Sequence, residues 1–232
     1  RYDAVLHLVT CAKGAEFAYN LGNEARTESL EYAREMDDRT LRAWKGHPNL
    51  RIIDNSVNFE EKINRAIREI YSVLGEAQPM AEKHKYLVRM PDLELLKKKY
   101  DAIPLDMMQT YLRVTKENVE RRIRQQKNGE DYIYFYTEKH VMDDGTRWVT
   151  EKPISEKVYV GYLMECDPDL HSVRKVKYRF LYQERRVEID VYPFSKERAV
   201  LFVYTDDESA QIPPQIKVIR DVTGDKDYKN RQ

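Results

Sequence analysis

The chain has 232 residues, 41% of them hydrophobic and 34% charged, and its 40 basic and 40 acidic residues cancel. That length holds one or two domains with a real core, and the balanced charge excludes a partner chosen by net charge alone, nucleic acid or membrane surface, so any anion site must be local. The two cysteines, Cys11 and Cys166, lie far apart in sequence and point to a reduced, cytoplasmic protein rather than a disulfide framework; no apolar run is long enough for a transmembrane helix, and the start carries no signal-peptide pattern.

In chain order, Tyr2 to Thr10 form an apolar, strand-like run of the kind a buried parallel strand shows. Asn23 and Thr27 are candidate helix caps, and Leu30, Ala33, Met36, Leu41 and Trp44 recur at helical spacing until Gly46 and Pro48. A short strand, Leu50 to Ile53, ends at Asp54-Asn55-Ser56, and Ile63, Ile67, Ile70 and Leu74 mark one face of a second helix that closes at Gly75. Strand, helix, strand, helix is the alternation of an α/β unit, although two strands bury too little to stand alone. The stretch Glu76 to Met80 is the expected domain boundary.

Beyond it, strands recur at short intervals: Tyr86 to Val88, Met108 to Val114, Val119 to Gln125, Tyr132 to Lys139, Arg147 to Glu151, Lys175 to Tyr182, Val187 to Tyr192 and Val200 to Thr205. Asn128-Gly129 and Asp143-Asp144-Gly145 are turn signals between them. Asp92 to Tyr100 reads as a short helix, Ile154 to Glu165 as another capped by Ser155, and Gly224 to Gln232 as a frayed tail. The fold class is α+β, its second part an antiparallel barrel or sandwich.

Side chains two apart on a strand share a face. Glu120, Arg122 and Arg124 therefore point one way while Val119, Arg121 and Ile123 point the other, and the same alternation places Lys83 with Lys85 and Lys175 with Lys177 and Arg179; Lys139 and Lys152 add single positions. The plain alternative is a face that looks at water, but three such sets on separate strands suit phosphate oxygens. The five histidines have no metal-ligand spacing, the cysteines have no CxxC companion, and the aromatic and basic alternation of an RNA-binding strand is absent.

From about residue 81 to 228 the chain resembles the CYTH, or triphosphate tunnel, family, which implies a closed, antiparallel eight-stranded barrel around a basic tunnel for triphosphates and a divalent metal. The family's E-x-E-x-K signature is matched by Ala81-Glu82-Lys83-His84-Lys85, keeping the lysine and losing both glutamates to Ala81 and Lys83. Arg122 and Arg124, Thr137 and Lys139, and Lys175 and Lys177 match further basic strands, while the acids expected on the last strand fall on Leu201-Phe202-Val203-Tyr204 and another on Val149. Glu151, Glu188 and Asp190 remain as residual metal-ligand candidates. Divalent metals need hard carboxylate oxygens, so cations kept without them imply phosphate binding with impaired hydrolysis and no required cofactor in the tunnel. The alternatives are a metal-dependent triphosphatase using the reduced ligand set, and a structural platform for protein partners.

The region 1–76 resembles the carboxy-terminal part of a P-loop NTPase-like domain, through Asp3 to Thr10, Asn23 to Glu28, Asp38-Arg39 with Trp44, and Gly46-His47-Pro48 leading to Ile53-Asp54-Asn55. The fused order resembles the TRPL translocation defect protein family. That resemblance implies a Walker A half, although no G-x-x-x-x-G-K-[ST] occurs in these residues, together with GTP as a ligand, Mg²⁺ in the complete P-loop domain, phosphoinositide headgroups, trafficking proteins as partners, peripheral membrane or endosomal association, and a role in trafficking of a membrane channel. It makes Asp54 and Asn55 base-side and Arg26 and Arg39 phosphate-side candidates, against the plain reading of a helix-leading turn and exposed helix charges.

Overall fold

The computed structural model describes residues 2–19, 22, 28–47, 49–80, 83–128, 130–183, 185–205 and 210–228. The chain forms two units, Arg1–Val73 and Leu74–Gln232.

In the first unit, β1 (Val5–Leu8) and β2 (Leu50–Ile53) pair in parallel with Val5 opposite Leu50. Helix α1 (Leu30–Trp44) is capped by Ser29, whose hydroxyl accepts from the Tyr32 backbone N–H at 3.2 Å; the caps expected at Asn23 and Thr27 lie outside the described residues. The buried side of α1 carries Asp37 beside Leu41, because Asp37 accepts from the Thr10 backbone N–H at 3.0 Å and pairs with Lys13 at 2.9 Å. Helix α2 (Phe59–Val73) departs from the spacing in a similar way. It buries Lys62 and Ala66 while Ile67 and Ile70 stay exposed, since the Lys62 ammonium donates to the Val9 carbonyl and to Asn55 Oδ1, each at 2.5 Å.

The second unit is a mostly antiparallel, ten-stranded sheet. Its strands are β3 (Gln78–Pro79), β4 (His84–Arg89), β5 (Ile103–Leu112), β6 (Val119–Asn128), β7 (Asp131–Val141), β8 (Arg147–Ile154), β9 (Val173–Tyr182), β10 (Arg185–Val191), β11 (Arg198–Val203) and β12 (Val218–Asp221), in the order β12-β4-β11-β10-β9-β5-β6-β7-β8-β3. All eight expected strands are present as β4 to β11. The expected closure is not, among the described residues: β4 and β8 would have to pair with each other, but β12 occupies the second edge of β4 and β3 that of β8. Helix α3 (Leu93–Tyr100) is capped by Asp92 and α4 (Glu156–Leu163) by Ser155. Within the tail, Lys226–Tyr228 form a 3-10 turn, with the Arg220 guanidinium 5.0 Å from the Tyr228 ring.

One face of this sheet is apolar. Under α3, Leu96 packs with Val88, Phe180, Val187, Ile189 and Leu201, and near α4, Tyr159 packs with Leu112, Ile123 and Tyr136. Burying such aliphatic and aromatic side chains contributes about 1.5–3 kcal/mol each. The opposite face carries the charges.

Candidate functional site: a cationic sheet face

Antiparallel register fixes which side chains share the charged face. Arg122 stands opposite Tyr111 and Thr137, Arg124 opposite Gln109 and Phe135, and Glu120 opposite Lys139. Thr137 faces Glu151. On the other wing Lys177 faces Asp190, Arg179 faces Glu188, Glu188 faces Phe202, and Phe202 faces Lys85.

The two wings curl toward each other. In sheet order β4 and β7 are separated by five strands, yet Lys83, just before β4, feels repulsion from Lys139 on β7, Lys177 on β9 and Arg122 on β6. Glu188 and Asp190 are 2% and 0% exposed although they stand on the face opposite the helix-packed core, which places them in the interior of the curl.

The carboxylates there are engaged. Glu188 accepts from Lys177 at 2.5 Å, Arg179 at 2.9 Å and the Tyr204 hydroxyl at 2.9 Å. Asp190 pairs with Lys175 at 2.5 Å and Lys177 at 3.1 Å. Glu151 accepts from Arg124 at 3.3 Å and Thr137 at 3.1 Å, and Glu120 pairs with Lys139 at 2.9 Å. Lysine and arginine neighbours overcome burial to hold Glu188 well below the carboxylate range, and Lys175 and Lys177 overcome burial to lower Asp190.

Cations still exceed these counter-charges. Burial, then repulsion by Lys139, Lys177 and Arg122, brings Lys83 down to about 7. Burial, then Arg122, brings Lys139 to about 8, and burial with Lys177 and Arg122 overrides Asp190 to bring Lys175 to about 8. Lys177 is different: burial lowers it, but Asp190 and Glu188 together raise it.

These three depressed lysines set a pH dependence. Their folded values lie below the ordinary 10.5, so between about pH 7 and 10 the unfolded chain binds more protons and stability rises with pH. We expect the unfolding free energy of the second unit to rise by several kcal/mol, at most about 5, from pH 7 to 9. Urea titrations across that range check it; a flat or falling profile contradicts the converging cations.

Of the residues singled out from sequence, Lys83, Lys85, Arg122, Arg124, Lys139, Lys175, Lys177 and Arg179 share the charged face. Lys152 does not. It stands opposite Tyr136 in the register and its ammonium lies 5.7 Å from the Tyr136 ring, on the helix-packed side. The structure adds Arg186, which follows the parity of Glu188 and Asp190 and stacks 3.6 Å over the Tyr204 ring; that parity on β10 was the available signal. The buried Gln109, bonded to Tyr111 Oη at 2.7 Å, also lines this face.

In the first unit, Asn55 donates to the Thr10 and Lys13 carbonyls at 2.7 and 2.6 Å. Asp54 accepts from the Ser56 N–H and hydroxyl at 3.1 and 2.6 Å and pairs with Arg65 at 3.4 Å. Both side chains are thus built into the loop after β2. Arg39 is exposed on α1 beside the Met36 sulfur, and Arg26 lies outside the described residues.

Among the described residues no three of His, Cys, Asp or Glu come together as a ligand set, and Glu151, Glu188 and Asp190 each already bind a cationic side chain. No helix of the described residues is long and apolar enough to cross a membrane. The thiols of Cys11 and Cys166 are free.

No family model and no curated protein matches the chain. Solved structures similar to it include the inorganic triphosphatase NE1496, at 24% identity over 66% of this chain and 93% of that one with a TM-score of 0.44. The HpAC1 protein from Hippeastrum, described as revealing a dominant triphosphatase activity, has 13% identity over 54% and 80% of the two chains with a TM-score of 0.34. The PH1819 protein from Pyrococcus horikoshii OT3 has 12% identity over 55% and 80% with a TM-score of 0.40. These are likenesses of fold, and the chemistry of the present chain rests on its own side chains.

Proposed function

We propose that the charged face of the second unit binds a compact polyphosphate anion and holds it without metal-dependent hydrolysis. The observation that carries this reading is the convergence on the buried Lys83 of cations from β6, β7 and β9; burial first, and then their repulsion, brings its pKa down to about 7. Such a cluster is destabilising when empty and is relieved by an anion; Arg supplies paired donors and Lys movable point charges. Inorganic triphosphate is the first probe, being compact and highly charged, and a soluble phosphoinositide headgroup is the second.

Holding is separated from cutting in one sample. Protein incubated with triphosphate and Mg²⁺ or Mn²⁺ is expected to retain bound triphosphate and to release no orthophosphate above the buffer control. Catalytic release would show that Glu151, Glu188 and Asp190 can surrender their cations to a metal, and would replace this reading with that of a triphosphatase.

A further inference from the structure

The ring of Phe202 occupies an unusual place for a buried aromatic side chain. It is 7% exposed, it points to the charged face rather than the helix-packed one, and the ammonium groups of Lys83, Lys85 and Lys177 stand 5.2, 5.5 and 5.1 Å from its centroid. These lysines come from the start of β4, from β4 itself and from β9. Tyr204, two residues on, extends the platform, with Lys83 5.6 Å and Arg186 3.6 Å from its ring.

An aromatic face attracts a cation through its quadrupole and carries no net charge. A carboxylate at the same point would also gather the lysines, but it would neutralise them and take up their N–H donors. The lysines under the ring divide accordingly. Lys177 is held by Glu188 and Asp190, whereas Lys83 makes no ion pair among the described residues and faces Lys139, Lys177 and Arg122 with Glu188 as the opposing charge.

We propose that Phe202 is the positioning residue of the anion site: its ring holds Lys83 beside Lys177 without neutralising it, so that a ligand carrying several negative charges, a polyphosphate chain rather than a single phosphate, supplies the counter-charge that Lys83 lacks. This rests on the reading of the face as a polyphosphate site. It gives the Phe202 position a function distinct from core packing.

The test compares wild type with Phe202→Glu and Phe202→Leu by calorimetric titration with triphosphate and by thermal melting without ligand. Phe202→Glu is expected to bind triphosphate at least a hundredfold more weakly while melting at the wild-type temperature or above, because it neutralises repelling lysines. A ring that only filled space would lower affinity and melting temperature together. Phe202→Leu, which keeps the apolar volume, is expected to bind about tenfold more weakly, and it decides the matter if the glutamate variant does not fold. A pH series adds an independent reading: wild-type affinity should fall from pH 7 to 9 as Lys83 and its neighbours lose protons, and the fall should flatten in Phe202→Glu, where Lys83 has a counter-ion. Wild-type binding with either folded variant within twofold of it overturns the role of Phe202 and leaves the site reading standing; no binding by wild type overturns both.

Discussion

Replacing Arg122 and Arg124 together by alanine is expected to weaken triphosphate binding by at least about a hundredfold while the sheet stays folded. Each charge-assisted hydrogen bond to a phosphate oxygen contributes about 1.5–3 kcal/mol, and two of them amount to roughly 3–6 kcal/mol, or two to four powers of ten in affinity. The fold tolerates the loss because the partners keep other donors. Glu151 retains Thr137 at 3.1 Å and Glu120 retains Lys139 at 2.9 Å. The contact of Arg124 with the Phe135 ring at 4.4 Å is lost, at about 1 kcal/mol. Titration calorimetry on the folded double variant checks the prediction, and unchanged affinity would remove these two arginines from the site.

Asp190→Ala acts in the opposite sense, on the fold before the ligand. Asp190 is 0% exposed, accepts from Lys175 and forms an ion pair with Lys177. Deleting it leaves a buried ammonium without a carboxylate, and breaking a buried pair from one side costs about 3–5 kcal/mol, a large part of the roughly 5–15 kcal/mol that holds a domain together. Urea unfolding should show that loss. Saturating triphosphate should restore part of it, since a ligand at a hundred times its dissociation constant stabilises by about 2.7 kcal/mol. A loss under about 1 kcal/mol would contradict the burial and pairing of Asp190.

The alternation of charges along single strands makes much of this face legible in the amino-acid sequence. Arg122 with Arg124, and Lys175 with Lys177 and Arg179, keep their shared face because a two-residue period holds whatever the neighbouring strand is. Lys152 shows where that reasoning ends: a single lysine has no parity partner, and only the pairing of Glu151 with Thr137 settles that Lys152 turns outward. The edges were hidden for another reason. β12 reads Val-Ile-Arg-Asp and is exposed throughout, and β3 is a two-residue bridge containing Pro79, so neither has the alternation that marks a half-buried strand. In α2 the isoleucine spacing pointed to a buried apolar face, but the structure buries Lys62, whose ammonium satisfies the carbonyl of Val9 and the side chain of Asn55. Asp54, accepting from the Ser56 N–H and hydroxyl, forms the turn that its sequence suggests. What the bare sequence could not show was the curl that brings Lys83 to Lys139 and Arg122, a consequence of pairing across seven strands.

The central claim is that this curl makes one site for a highly charged anion. It is tested most directly by titrating the wild-type protein with inorganic triphosphate, without metal, at two salt concentrations. The predicted result is saturable one-to-one binding that weakens as salt screens the cluster. Absence of saturable binding at concentrations on the order of 1 mM, a free energy of only about 4 kcal/mol, would contradict it.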